Sequence, residues 1–328
     1  MQILMSKAGD ALVGAKVRAI APGAEIVTMA ARDQFERDGA PFPADQVDPE
    51  LAWIGLDTMT SGLVGPMRQA LLDARSTRWV QVFMAGLDSG VFAPVIQKGI
   101  TVCKSSAQGP SIAEYVIAHA LGYLVPVEAQ AAHQREHVWK GTPYREVSRT
   151  RWLLVGYGAI GREIAKRIKP FGVDLTVVRR DGEGDEFTDH VARRGDLPAV
   201  LPEADVVVLA LPLTAETRGM CDAAFFEAMK PGSILINIAR GALVDDEALR
   251  AGLDRDQPAR AVLDVFHTEP LPAESWFWDH PKVRVSAHTS PHGGDTVTRG
   301  GEIFLENLKR YMAGEPLAGQ AQPFEAGL

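Results

Sequence analysis

The chain has 328 residues, of which 46% are hydrophobic and 23% are charged, and its formal net charge is −8. These proportions exclude a disordered or fibrous protein, and the length allows about two domains of ordinary size. The acidic balance argues against a nucleic-acid binder and against a protein held on an anionic membrane surface. Two cysteines cannot form a disulfide framework, and the sequence shows neither a signal-peptide pattern nor an apolar run that could span a bilayer. We therefore expect a soluble, cytoplasmic protein.

The first hundred residues contain short apolar runs separated by segments with helical periodicity. The runs are residues 3–5, 26–28, 53–54, 79–82 and 101–102. Alternation of this kind is typical of an α/β domain with a parallel sheet. The next long element, residues 112–125, is apolar on nearly all sides and is followed by a more polar helical stretch to residue 139. Because a helix that is apolar all round is buried, we expect it to pack against a second copy of the chain in a homodimer.

The second half alternates more clearly between strands and helices. Its β-branched runs are residues 152–155, 173–178, 206–211, 234–238, 261–265 and 283–285. Continuous apolar runs of this length are typical of strands buried on both faces of a parallel sheet. Ile160, Ile164 and Ile168 share one helical face after the first run, and residues 245–253 form a helix with acids in its first turn. Six strands in this pattern predict a doubly wound, Rossmann-type sheet. A last helix, residues 302–312, is expected to return to the first domain.

A dinucleotide fingerprint, Gly-x-Gly-x-x-Gly, follows the first of these strands. It consists of Gly156, Gly158, Ala159, Ile160 and Gly161, with Tyr157 after the first glycine. The first glycine permits a tight turn, the second lets a phosphate approach the backbone, and the third lets the helix pack close to the strand. The position before a helix favours pyrophosphate binding at the helix N-terminus.

His133 and His137 match a second pattern, His-x-x-Glu-His, in which two histidines one helical turn apart bind zinc. No acidic helix follows that could supply a third ligand, and the segment is charged. We therefore expect no metal site, although a zinc hydrolase remains a distant alternative.

Four polar residues follow successive strands of the second half. Arg240 comes after the fourth strand, Asp264 ends the fifth with Glu269 in the next loop, and His288 follows the sixth. These positions lie at the carboxyl ends of parallel strands, where open α/β sheets bind ligands. A guanidinium can hold a carboxylate with two hydrogen bonds, and an imidazole paired with a carboxylate can act as a general acid. The sequence therefore predicts an active site at this edge.

Residues 80–317 resemble the D-isomer-specific 2-hydroxyacid dehydrogenase family, glyoxylate and hydroxypyruvate reductases included. The matching segments are residues 111–115, 156–161, 211–219, 229–245 and 263–272 and the loop around His288. The resemblance implies that Arg240 binds the substrate carboxylate, that His288 exchanges the proton, and that Glu269 polarises His288. It also implies that Ala85, Gly86 and Leu87 form a substrate loop whose backbone amides meet the carboxylate.

The resemblance also implies a cofactor site on the second domain. Besides the fingerprint, its expected residues are Leu211, Pro212, Thr217, Ile238 and Asp264, the last near the nicotinamide. NAD-specific folds usually place an acid at the end of the second strand, but this strand ends in Arg179 and Arg180, with Asp181 next. Two guanidiniums can pair with a 2′-phosphate. We therefore expect NADP(H) to be preferred, with NAD(H) possible.

The sequence thus predicts two domains. Residues 1–100 and 291–328 are expected to form a smaller, flavodoxin-like substrate domain. Residues 101–290 are expected to form the dinucleotide-binding domain, including the dimerisation helix. The predicted activity is hydride transfer between NADP(H) and C2 of a small 2-keto or D-2-hydroxy acid. The alternative is a non-catalytic, cofactor-sensing interaction protein on the same fold, because a fold does not determine a function.

Overall fold

The computed structural model describes residues 1–180 and 182–328, except for the side chain of Phe324. The chain divides into two compact units. The first unit consists of Met1–Gln108 and Gly294–Leu328, and the second of Gly109–Gly293. The predicted domain boundaries, at residues 100/101 and 290/291, fall eight and three residues before these bounds.

The first unit is built on a sheet to which seven strands of the described chain contribute. They are β1 (Gln2–Ser6), β2 (Glu25–Ala31), β3 (Gln34–Arg37), β4 (Ala40–Phe42), β5 (Leu51–Ile54), β6 (Trp79–Val82) and β7 (Thr101–Cys103). Their order is β4-β3-β2-β1-β5-β6-β7, and β2, β1, β5, β6 and β7 are parallel. These five are the predicted strands, and their order is the flavodoxin-like one. The helices that cover them are α1 (Lys7–Ile20), α2 (Leu56–Thr60), α3 (Val64–Asp73) and α4 (Ala93–Gln97).

At one edge of this parallel sheet the structure adds a hairpin that the sequence analysis did not predict. Strand β3 pairs antiparallel with β2, and β4 pairs antiparallel with β3. Asp38 and Gly39 join them in a two-residue turn, both with positive φ, +49° and +79°. Such a turn matches the twist of a hairpin, and Asp-Gly is among its strongest signals in a sequence. The Asp-Gly pair therefore indicates a hairpin in the sequence, but the flanking strands are too short to give a clear strand pattern.

The sheet of the second unit is parallel throughout and, in the described residues, also has seven strands. They are β8 (Arg151–Val155), β9 (Asp174–Val178), β10 (His190–Ala192), β11 (Val206–Leu209), β12 (Ile234–Asn237), β13 (Arg260–Leu263) and β14 (Val283–Val285). Their order is β10-β9-β8-β11-β12-β13-β14, the doubly wound arrangement that the sequence predicts. The six-strand prediction missed β10, a three-residue edge strand whose Val191 is 43% exposed and so leaves no buried apolar run.

Both helices that the sequence predicts beside the candidate site are present in the second unit. The helices are α5 (Gly109–Leu124), α6 (Val127–Arg135), α7 (Ala159–Ile168), α8 (Leu197–Val200), α9 (Ala223–Ala228) and α10 (Asp246–Asp254). Helix α7 buries Ile164 and Ile168 against the sheet, and α10 begins where the Asp245 carboxylate accepts a hydrogen bond from the Ala248 amide. The polar helix α6 ends four residues before the predicted residue 139.

Helix α11 (Thr296–Ala313) returns the chain to the first unit, as predicted. Its Phe304 stacks on Trp53 and Trp79, with ring centroids 5.3 and 5.7 Å apart. Aromatic pairs at this spacing add to the stability that burial provides. The contacts join the last helix to strands β5 and β6.

No single helix of the described chain is both long and apolar enough to cross a membrane. The two consecutive helices α5 and α6, bent by 58°, meet the length and composition test only when taken together.

Candidate active site

The three glycines of the fingerprint lie in different surroundings. Gly156 has a φ of +108°, and a Cβ atom there would lie 2.5 Å from the carbonyl oxygen of Ala210. A Cβ at Gly161 would lie 2.4 Å from the carbonyl oxygen of Gly156. Backbone packing therefore requires both of these glycines. A Cβ at Gly158, by contrast, would have no atom of the described residues within 4 Å, so no contact among them explains the missing side chain.

This open space fits a dinucleotide pyrophosphate. Gly158 caps α7, and Ala159 and Ile160 are its first two residues. Amide groups of the first helical turn have no partner within the helix, and anions bind there. The fingerprint follows β8, whose neighbour β11 lies at the point where the strand order reverses. Ligands of doubly wound sheets bind at this point.

The loop after β11 lies beside the fingerprint. Ala210 donates a backbone hydrogen bond to Val155 and contacts Gly156, and Leu211 and Pro212 follow it. The Thr217 hydroxyl donates to the carbonyl of Pro212 at 2.9 Å and accepts from the amide of Thr214 at 2.8 Å. The Thr217 hydroxyl therefore stabilises the conformation of this loop by hydrogen bonds to two of its other residues.

Arg179 follows β9 and lies near the second fingerprint residue. Its guanidinium is 5.9 Å from the ring centroid of Tyr157, and Nη1 donates to the carbonyl of Glu183 at 2.6 Å. The Tyr157 hydroxyl donates to Asp185 at 2.6 Å, and burial raises the pKa of Tyr157. Arg180 is exposed, and Asp181 lies outside the described residues. The position of Arg179 beside the fingerprint is compatible with a contact to the adenosine half of a cofactor.

Arg240 is held by the residues around it. The amide of Asn237 donates to the carbonyl of Arg240 at 2.9 Å, and its oxygen accepts from the Ala239 amide at 3.0 Å. A Cβ at Gly241 would lie 2.0 Å from the backbone carbon of Phe266, so only glycine allows the loop after β13 to approach. The Arg240 loop and the loop that carries Glu269 are therefore in backbone contact.

His288 and Glu269 form a direct pair. Nδ1 of His288 lies 2.8 Å from Oε2 of Glu269, and Oε1 of Glu269 accepts a hydrogen bond from the Phe266 amide at 2.9 Å. The two side chains are 44% and 37% exposed. An ionised carboxylate can only accept, so the pair assigns the proton of the neutral imidazole to Nδ1. The other ring nitrogen, Nε2, can then exchange a proton with a ligand.

Asp264 is fully buried beneath the His288 loop. Its carboxylate accepts hydrogen bonds from the Ser286 hydroxyl at 2.5 Å, the Thr289 amide at 2.8 Å and the Ser290 amide at 3.0 Å. Its contacts are thus with the loop that carries His288, and its expected place near a nicotinamide remains a proposal.

The other predicted residues lie as follows. Ile238 is 6% exposed and belongs to the core of the second unit. Because its side chain is buried, a contact of Ile238 with a cofactor would be made by its backbone. Ala85, Gly86 and Leu87 follow β6 in the first unit. The side chain of Leu87 is buried in that unit's core, so this loop offers its backbone rather than this side chain.

His133 lies on α6, and His137 follows it with a φ of +55°. Within residues 1–180 and 182–328, no cluster of three or more histidine, cysteine, aspartate or glutamate side chains could hold a metal ion.

The sequence motifs assign no role to Asn237, Gly241, Ser286 or Tyr115. Asn237 and Gly241 flank Arg240, and Ser286 is two residues from His288, so proximity to a candidate residue was the available signal. Tyr115 had no such signal, because it contacts Ser286 from a helix more than 170 residues earlier.

The fold and the site together define a dehydrogenase with a dinucleotide-binding unit of the Rossmann type. The sequence profile of the family described as "D-isomer specific 2-hydroxyacid dehydrogenase, NAD binding domain" matches residues 117–290. The chain belongs to this family of oxidoreductases, as the sequence motifs predicted.

Individual relatives agree with this assignment. An uncharacterised protein of Corynebacterium melassecola is 30% identical over 74% of this chain and 81% of its own. Glyoxylate/hydroxypyruvate reductase A of Klebsiella pneumoniae is 29% identical over 66% of this chain and 69% of its own. The crystal structure of a D-isomer specific 2-hydroxyacid dehydrogenase from Xanthobacter autotrophicus, in complex with NADPH and MES, is 26% identical and covers 99% of both chains with a TM-score of 0.79.

Proposed function

We propose that this protein is an NADP(H)-dependent reductase of small 2-keto acids such as glyoxylate or hydroxypyruvate, with a D-2-hydroxy acid as product. The observation that supports this most directly is the pair of His288 and Glu269, 2.8 Å apart, because the loop that carries Glu269 also contacts the loop of Arg240. The name of the Klebsiella relative favours the same substrate class.

Each residue has a distinct role in this reaction. The Arg240 guanidinium binds the substrate carboxylate and carbonyl oxygen, because its planar fork matches two oxygens. His288 donates a proton from Nε2 to the carbonyl oxygen, and Glu269 stabilises the charged imidazole through Nδ1. As the family resemblance implies, the backbone amides of Ala85, Gly86 and Leu87 are further donors to the carboxylate. When bound, a reduced nicotinamide supplies the hydride to C2.

The cofactor site consists of two parts. Gly156, Gly158, Ala159, Ile160 and Gly161 hold the pyrophosphate, and Leu211, Pro212, Thr217, Ile238 and Asp264 extend the site toward the nicotinamide. Arg179 and Arg180 recognise the 2′-phosphate of NADPH, and NADH binds less tightly. The NADPH in the Xanthobacter structure supports this preference.

A panel of 2-keto acids tests the activity. Purified protein should oxidise NADPH with glyoxylate or hydroxypyruvate, and His288→Asn should lower the rate by about 10²–10⁴-fold with cofactor binding largely kept. Absence of turnover with every acid, together with tight NADPH binding, would instead favour the alternative of a non-catalytic cofactor sensor. Near-full turnover of His288→Asn would remove His288 from its role.

Cofactor preference has its own test. Wild type should prefer NADPH by about 10- to 100-fold in kcat/KM, equivalent to about 1.4–2.8 kcal/mol, and Arg179→Asp should reverse or abolish this preference. Arg255→Asp, an exposed arginine after α10, is the matched control and should leave the preference unchanged. A wild type that prefers NADH would contradict the proposal.

A homodimer is part of the proposal. Leu121, Tyr123 and Leu124 at the end of α5 are only partly buried within one chain, and Val127 is 49% exposed. Trp139 is fully exposed nearby in sequence, which is unusual for an apolar side chain of this size.

Sedimentation at micromolar concentration should show a particle of twice the chain mass. Val127→Asp combined with Trp139→Ser should weaken the dimer, whereas Phe171→Ser, which removes another exposed aromatic ring, should not. A monomer-sized wild type would contradict the dimer.

A further inference from the structure

The His288 loop is hydrogen-bonded to one buried residue, Asp264. His288 has a φ of +51°, a left-handed conformation that is uncommon for residues other than glycine. The His288 amide donates to the Asp264 carbonyl at 2.9 Å, and the Asp264 carboxylate accepts from the next two amides, those of Thr289 and Ser290. The amides of three consecutive loop residues therefore all donate hydrogen bonds to Asp264.

Two hydroxyl groups connect this carboxylate to helix α5. The Ser286 hydroxyl donates to Oδ1 of Asp264, and the Tyr115 hydroxyl lies 2.6 Å from Oγ of Ser286. Because a serine hydroxyl has one hydrogen and Ser286 donates it to Asp264, Tyr115 must be the donor to Ser286. Burial raises the pKa of Tyr115 to about 12, so the phenol keeps its proton near neutral pH. The hydrogen bonds thus have one direction, from Tyr115 through Ser286 to Asp264.

The Tyr115 ring also packs against a neighbouring ring. It packs on the ring of His119, one turn further along α5, with centroids 4.3 Å apart and planes tilted by 52°. This contact restricts the ring and with it the position of the hydroxyl, as a positioning role requires.

We propose that Ser286 and Tyr115 are positioning residues of the proton donor, holding Asp264 so that the loop directs Nδ1 of His288 toward Glu269. Neither residue needs to touch the substrate or the cofactor. The inference rests on the proposed function, because that function gives His288 its role as proton donor. It adds two residues that influence the reaction rate, one of them on a distant helix.

Kinetics provide the first test. Ser286→Ala removes one of three hydrogen bonds to a buried carboxylate, so kcat for the 2-keto acid should fall by about 10- to 100-fold. KM and the dissociation constant of NADPH should change little, because the binding groups remain. Ser286→Thr keeps the hydroxyl and should restore most of the rate. Ser233→Ala is the matched control, since the buried Ser233 hydroxyl has no hydrogen-bond partner among the described residues and its loss should leave kcat unchanged.

A second test does not depend on turnover. The Nδ1 proton that His288 shares with Glu269 should give a downfield proton NMR resonance, identified by its loss in His288→Asn. Ser286→Ala and Tyr115→Phe should broaden or abolish this resonance, and Ser286→Thr and Ser233→Ala should keep it. If Ser286→Ala fails to fold, Tyr115→Phe, which retains the ring, decides the outcome.

An unchanged kcat and an unchanged resonance in Tyr115→Phe and Ser286→Ala would overturn the proposal. Failure of the proposed function would look different. Wild type would then not reduce any 2-keto acid, or His288→Asn would keep its turnover, while the resonance would still report whether Ser286 and Tyr115 position His288.

Discussion

Glu269 is held between two donors, with one carboxylate oxygen 2.8 Å from Nδ1 of His288 and the other 2.9 Å from the amide of Phe266. The amide fixes the carboxylate in place, and the carboxylate in turn fixes the orientation and tautomer of the imidazole. Because Phe266 belongs to the backbone segment that packs on Gly241, the same segment also contacts the Arg240 loop. One stretch of backbone therefore positions the acid–base pair and the carboxylate-binding arginine together.

Replacement of Glu269 by glutamine should move the pH dependence of the reaction. The protonated imidazole of His288 loses its ion-pair partner, so the pH at which reduction falls to half its plateau should shift lower. Both side chains are more than a third exposed, so solvent screens the pair and we expect the change to be small. The measurement is kcat/KM for a 2-keto acid from pH 5 to 9. The same profile in the variant as in wild type would remove Glu269 from the mechanism.

Arg240→Lys should lose most of its activity toward 2-keto acids. Lysine keeps the positive charge but lacks the planar fork that holds two oxygens, so a bidentate site does not tolerate it. A loss of about 10²-fold in kcat/KM, equivalent to about 2.7 kcal/mol, is expected. Comparison with the matching aldehydes, which have no carboxylate, provides the control. If wild type reduces those aldehydes as well as the acids, Arg240 has another role.

Gly158 and Gly161 should respond differently to alanine. Gly158 has a φ of −89°, and its Cβ would stand in open space, so Gly158→Ala should keep the melting temperature of the protein. The methyl group should obstruct the pyrophosphate and weaken NADPH binding by about tenfold or more. In Gly161→Ala the Cβ would meet the carbonyl of Gly156, and the protein should lose about 1–3 kcal/mol of stability. Calorimetry of binding and thermal unfolding of both variants check this. Equal NADPH affinity in Gly158→Ala and wild type would place the pyrophosphate elsewhere.

Asp205 should make a pH-dependent contribution to stability. Burial alone raises the pKa of its carboxyl, but hydrogen bonds from Lys230, the Arg151 amide and Arg145 offset burial and lower the pKa below its ordinary value of 3.8. A lowered pKa stabilises the folded state above the ordinary value, and this contribution is lost as the pH falls through the folded-state pKa.

Asp205→Asn should therefore reduce the free energy of unfolding by about 2 kcal/mol at pH 7, and the difference from wild type should shrink below pH 3.8. Urea unfolding across this pH range is the measurement. Asp279→Asn, which changes an exposed carboxylate, should show no such difference at either pH. A penalty for Asp205→Asn that persists unchanged at low pH would show that charge is not its origin.

Periodicity and residue type determined the architecture without a structure. Buried β-branched runs and the apolar face of α7 depend on local spacing, so they predicted the doubly wound sheet of the second unit and the parallel core of the first. The order of strands then placed Arg240, Glu269 and His288 at the same sheet edge, because the carboxyl ends of parallel strands share an edge. The Asp38-Gly39 turn is likewise signalled by local residue type, although the sequence analysis predicts no strands beside it.

Only the tertiary structure determines which residues far apart in the sequence form hydrogen bonds or backbone contacts with each other. The hydrogen bonds from Tyr115 to Ser286 and from Ser286 to Asp264 join residues that no local pattern connects. The close approach of Gly241 to the backbone of Phe266 and of Gly156 to that of Ala210 likewise depends on how loops from different strands pack. A sequence pattern specifies which face of an element is buried, but hydrogen-bond geometry and close packing are fixed only when all the elements are in place at once.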